Sequence, residues 1–118
     1  MLIIKLGIIF ALLSVVIGAF GAHSLENIIA NKMDVFKTAV QYQMFHSMAL
    51  IFTGLIAIIT KIDLVMVGYL FSAGILLFSG SLYIVSIFKL SKMGIVTPFG
   101  GLFFIIAWGF LFYRISSL

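Results

Sequence analysis

Four apolar stretches, roughly residues 1–22, 44–60, 64–88 and 93–113, run through this chain with almost no charge inside them. A helix rises 1.5 Å per residue, so about 20 apolar residues cross the roughly 30 Å hydrocarbon layer of a bilayer. The ten charged residues (Lys5, Glu26, Lys32, Asp34, Lys37, Lys61, Asp63, Lys89, Lys92, Arg114) fall between the runs or at their ends, at headgroup level. Hydrophobic residues make up 64% of the chain and charged residues 8%. A soluble domain carries about 25% charged residues, so a water-soluble fold is excluded. The expectation is a polytopic membrane protein.

A net charge of +4 and a pI near 9.6 would suggest nucleic acid in a soluble protein. Here the 7 cations are scattered over separate segments and make no patch, so they read as headgroup anchors and no nucleic-acid partner is expected. Cysteine is absent, which removes disulfides, thiolate nucleophiles and cysteine metal sites. Lys5, the apolar run behind it and Ala19-Phe20-Gly21 imitate a secretory signal, but residues 1–22 are read as a retained first helix.

Between the first two runs, Leu25, Ile28, Ile29, Met33, Phe36 and Val40 follow one another at spacings of 3, 1, 4, 3 and 4, placing them on one helical face. Ser24, Asn27, Asn31, Lys32 and Lys37 occupy the other. This predicts a short amphipathic segment that lies on the membrane surface or extends the second helix, with Asp34 as a candidate N-cap. Thr60–Asp63 and Lys89–Lys92 are tight turns, and links this short make consecutive helices antiparallel neighbours. The predicted fold is all-α: one integral-membrane domain over residues 1–118, an up-down-up-down four-helix bundle with helices at about 1–22, 38–60, 64–88 and 93–113.

Lys5, Lys61 and Arg114 then face one compartment and Lys32, Lys37, Lys89 and Lys92 the other, so the positive-inside count leaves the orientation open. Lipid tails are as apolar as leucine, so small residues that admit close backbone approach mark helix contacts. Gly7-xxx-Ala11 and Ser14-xxx-Gly18-xxx-Ala22 in the first helix, and Gly68-xxx-Ser72, Gly74 and Gly80 in the third, predict that these two helices carry the tightest contacts. Gly21, Gly100 and Gly101 join the candidate packing residues, with Pro98 suited to a first helical turn.

Polar groups within the spans are unevenly distributed. The ends carrying Phe20-Gly21-Ala22-His23, Gln41-Tyr42-Gln43-Met44-Phe45-His46-Ser47, Ser79-Gly80-Ser81-Leu82-Tyr83 and Thr97-Pro98-Phe99-Gly100-Gly101 all fall on one side of an up-down bundle. The candidate polar cluster is therefore His23, Tyr42, Gln43, His46, Ser79, Ser81, Tyr83 and Thr97. Gln43 and His46 share a face of helix 2, and Ser79 and Tyr83 share one of helix 3. Turned inward, they would bond across the core, because an unpaired polar group in hydrocarbon costs several kcal/mol.

Two readings follow. In one, the cluster glues helices together. In the other, His23 and His46 frame a site for a proton, a metal ion or a small headgroup, with Glu26 one turn beyond His23. Two histidines without a carboxylate at ligand spacing specify no metal site, and no cofactor is implied. Gly-x-Ser-x-Gly, His-Glu-x-x-His, an intramembrane carboxylate pair and a phosphate-cradling loop are all missing, so no enzyme is expected.

The same segments carry a resemblance. Gly18-Ala19-Phe20-Gly21-Ala22-His23, Thr38 through His46, Phe78-Ser79-Gly80-Ser81-Leu82-Tyr83 and Thr97-Pro98-Phe99-Gly100-Gly101 with Trp108 resemble the small membrane proteins catalogued as domain of unknown function 423, the YgdD/YwdK-like family. The resemblance runs through all four helices. It implies four-span bacterial inner-membrane proteins, with relatives in eukaryotes and no established reaction. Glu26 lies outside the family motif. Family members often end in a more basic tail, implying cytoplasmic termini, and the ending Arg114-Ile115-Ser116-Ser117-Leu118 departs from that. The expected role is structural or accessory, in membrane integrity or homeostasis, in the plasma membrane. Expected partners are membrane lipids, a second copy of the chain or another membrane protein. The alternative is an oligomeric small transporter or channel subunit that uses the His-containing cluster.

Overall fold

A computed structural model describes residues 1–118, apart from the side chain of Ala22. Four helices, each long and apolar enough to cross a membrane, dominate it. Helix α1 spans Leu2–Gly21, α2 Met33–Thr60, α3 Val65–Phe88 and α4 Thr97–Ser116. The last turn of α1, Ile17–Gly21, and the middle of α3, Ile75–Ser79, are widened into π-helical turns. The chain passes from α1 to α2 through short helical turns at Ala22–Ser24, Glu26–Ile29 and Ala30–Lys32.

The amphipathic segment thus divides. Its first part forms these turns, with Ile29 fully buried, and its second part is continuous with α2, where Phe36 is 1% exposed. Asp34 is not the N-cap. Helix α2 begins at Met33 after Lys32, with no side-chain cap bond, and Asp34 lies in the first turn, where its charge complements the helix dipole. The 28 residues of α2 make it about 42 Å long, more than the hydrocarbon needs, so its first turns with Asp34 and Lys37 stand at the headgroups.

Helix ends are set by polar residues and backbone geometry. Lys61 (φ 62°) closes α2 and Lys89 (φ 60°) closes α3, each in the left-handed region that caps a helix most easily with glycine. Asp63 Oδ1 accepts the Val65 N–H at 3.0 Å, satisfying a free donor at the start of α3. A 3-10 turn over Ser91–Ile95 leads into α4, which has Pro98 in its first turn; the fixed φ and missing N–H of proline cost nothing there. At the far end, Arg114 Nη2 donates to the Asp63 carbonyl at 3.1 Å and ties the end of α4 to the α2–α3 turn.

Helix α1 packs chiefly on α2, α2 also on α3, and α3 on α4, so the small residues of α1 and α3 press mainly on sequence neighbours. Small residues permit close approach but cannot choose the partner; the short links choose it, by holding sequence neighbours side by side. A Cβ built on Gly7 would meet Ser47 O of α2 at 2.8 Å and Ile51 N at 3.0 Å. Gly74 faces the Phe104 ring of α4, and Gly100 faces the backbone of Phe78 in α3. The α1–α3 contact survives only near one end, where Gly68 faces the Ile3 side chain. The bundle measures 50 × 26 × 17 Å. Its flattened section leaves an outer face of α2 open between α1 and α4.

Burial is inverted relative to a soluble protein. Phe52, Ile59 and Phe112 are exposed, whereas Ser14, Ser47, Thr53 and Ser86 are fully buried. A surface of large apolar side chains around a core holding hydroxyls is stable when the solvent is lipid.

Candidate functional site

Most buried hydroxyls meet their hydrogen-bonding requirement within their own helix. Ser47 and Thr53 donate to carbonyls one turn back, Gln43 O and Ala49 O, so neither needs water. Gln43 has more groups than its own helix can satisfy. Its Nε2 donates to the Phe10 carbonyl of α1 at 2.8 Å, and its Oε1 accepts the Tyr83 hydroxyl of α3 at 2.6 Å. One amide on α2 therefore bonds to both flanking helices.

His46, one turn along, faces α4. Its Nδ1 lies 2.9 Å from the Tyr42 carbonyl and its Nε2 lies 3.2 Å from Trp108 Nε1. A carbonyl only accepts and an indole N–H only donates. The tautomer that satisfies both partners is the neutral imidazole with its proton on Nδ1. The ring also stacks on Phe104, with centroids 3.6 Å apart and planes 6° from parallel. Trp108 in turn packs edge-on against Phe71 of α3 at 4.9 Å.

Two further ties hold the same region. Ser79, at the end of the π turn in α3, donates to the Ala39 carbonyl of α2 at 2.7 Å. Ser81 shares a hydrogen bond with Thr97 of α4 at 2.5 Å. Gln43, His46, Ser79, Ser81, Tyr83 and Thr97 thus form a joint of separate hydrogen bonds that together reach all four helices.

Other expected members lie elsewhere. His23 is exposed in the α1–α2 connection, while His46 lies about 20 Å down α2 from its first residue, so the two histidines do not frame one site. Burial of His46 follows from its place on the inner face of α2, and exposure of His23 from a connection that lies beyond the spans. Tyr42 is 40% exposed and contributes its carbonyl to His46 and its ring to Phe78, with centroids 4.5 Å apart. Among the described residues, no three His, Cys, Asp or Glu side chains converge.

The packing residues also divide. Gly18 faces Val40 at 3.0 Å from a built Cβ, Gly21 faces Phe36 at 3.3 Å, and Gly101 reaches Phe78 only at 3.8 Å. Gly80 has nothing within 4 Å, so it packs no helix, unlike Gly100. Pro98 is exposed and acts through the helix start.

The polarity pattern did not reveal the Phe10 carbonyl or the Trp108 donor. Trp108 does carry a signal. It stands at mid-span in α4, 11 residues past Thr97, whereas tryptophans that serve as membrane anchors lie at the interfaces. Among the described residues, the one buried side-chain polar atom without a partner is Arg114 Nε, at the opposite end of the bundle. No buried side-chain polar atom of the joint is therefore left without a partner.

No solved structure matches the chain. The family model described as a protein of unknown function, DUF423, matches residues 17–101. The UPF0382 membrane protein YwdK of Bacillus subtilis is 48% identical over 110 residues, covering 89% of this chain and 88% of its own length. A UPF0382 membrane protein of Staphylococcus haemolyticus is 44% identical over 108 residues, covering 91% of this chain and 88% of its own. The matched residues take in the end of α1, all of α2 and α3 and the start of α4, so the chain belongs to the DUF423 family, as a small multi-pass membrane protein of the bacterial type.

Proposed function

We propose that this protein serves a structural or accessory role in the integrity or homeostasis of the plasma membrane, without catalysing a reaction, and that its polar cluster is a joint that holds four helices in register. The observation that carries this reading is the pairing of Gln43 and His46. Both ends of the Gln43 amide and both ring nitrogens of His46 are engaged by protein groups, which leaves neither free for a solute. Working partners are membrane lipids and a second copy or another membrane protein, with no nucleic acid involved.

A relay or transport site needs a group that changes its proton or ligand, and glutamine cannot titrate. His46→Gln, whose amide can still accept the indole N–H, is expected to keep the fold and to restore the phenotype of a strain lacking the gene. His46→Leu is expected to loosen the α2–α4 contact and to fail. If both variants stay folded and inserted yet both fail to restore the strain, the structural reading is wrong and a transport role replaces it.

A further inference from the structure

The outer face of α2 carries an apolar groove of about 760 Å³. Val40 and Met44 stand on its α1 side, where Val40 meets Gly18 and Met44 accepts a 3.5 Å hydrogen bond from Ser14. Phe45, Met48 and Phe52 form its length, and Trp108 of α4 stands on the other side. At its upper end, Gln41 is exposed and also borders a smaller cavity of about 250 Å³ with Tyr42 and His46. One turn above Gln41, on the same helical face, stands exposed Lys37.

We propose that this groove binds one acyl chain of an anionic phospholipid from the leaflet on the side of the α1–α2 connection, with Lys37 and Gln41 holding the headgroup. Three observations select this occupant. The groove runs from Gln41 to Phe52, about 16 Å along the helix, which is roughly half of the 30 Å hydrocarbon and so the depth of one leaflet. The Gln41 amide at its upper end and Lys37 one turn beyond are complementary to a phosphate, and on the same membrane face exposed Lys37, Lys89 and Lys92 outnumber exposed Glu26 and Asp34. Its lining is mostly phenylalanine, methionine and tryptophan, with Val40 and a single small residue, Ala49. A second copy of the chain would need small residues for backbone approach, whereas flexible methionines and aromatic faces accommodate a mobile chain. The groove shares Trp108 with the joint, but its headgroup end rests on Lys37 and Gln41, which take no part in the joint's hydrogen bonds.

The chain has a single tryptophan, and it lines the groove, so Trp108 fluorescence reports occupancy directly. The experiment reconstitutes the full chain in mixed phosphatidylglycerol and phosphatidylcholine vesicles, with brominated acyl chains carried by one lipid or the other at equal mole fraction. Brominated phosphatidylglycerol is expected to quench as though bound about fivefold more tightly, the factor for one lysine at a charged membrane surface. Lys37→Gln should bring the two lipids close to parity, while Lys5→Gln, on the other side of the membrane, should leave the preference intact. Equal quenching of the unmodified protein by the two lipids would overturn the proposal. So would a preference that survives Lys37→Gln. Quenching by neither lipid, together with a doubled mass in detergent, would give the groove to a second copy instead.

Discussion

Trp108 and His46 make the residue-scale case, because each satisfies the other in a place without water. Replacing Trp108 with phenylalanine keeps an aromatic ring against Phe71 but removes the donor to His46 Nε2. The expected loss is about 1 kcal/mol, read as a lower unfolding midpoint in detergent. An unchanged midpoint would mean that the indole bond contributes nothing. Gln43, His46, Ser79, Ser81, Tyr83 and Thr97 were legible in the sequence because polar groups inside apolar runs must find partners. Which partner each finds was not legible. Tyr83 meets Gln43 as its position on the shared face suggested, but His46 turns to α4, and the Phe10 carbonyl is a backbone group that side-chain polarity never marks. His23 was misplaced because proximity to a helix end says nothing about which side of the interface a side chain occupies.

At the scale of the element, the glycines test which helices press together. Gly7→Ala and Gly100→Ala each push a methyl group into a neighbouring helix backbone and should destabilise the bundle by about 1–3 kcal/mol. Gly80→Ala and Gly109→Ala meet nothing within 4 Å and should be neutral or stabilising by up to about 1 kcal/mol, since alanine loses less entropy in a helix. Gly18→Leu should cost more than Ile9→Leu, because Gly18 faces Val40 whereas Ile9 faces lipid at 52% exposure. Unfolding in detergent ranks all six, and equal values for Gly100→Ala and Gly80→Ala would contradict the packing described. The four spans were readable from length and apolarity alone. Their pairing as sequence neighbours followed from the short links, but small-residue spacing, shared by every helix here, could not say which residues press together, and the start of α2 at Met33 was hidden in an amphipathic pattern that fits either a surface helix or an extension of the span.

For the whole molecule, even span number places both termini on one side and the α1–α2 and α3–α4 connections on the other. Cysteines introduced at Ser117 and Ser91 should react with a membrane-impermeant reagent from opposite sides, and reaction from the same side would show the span count to be wrong. What unites the four helices is the buried joint, with Gln43 bonded to α1 and α3 at once. The most direct measurement of that claim is a double-mutant cycle between Gln43→Leu and Tyr83→Phe, with the unfolding free energy of the bundle determined in detergent. The account predicts a favourable coupling of about 0.6–1.7 kcal/mol, the range of interhelical hydrogen bonds in membranes. Additive losses, with no coupling between the two positions, would contradict it.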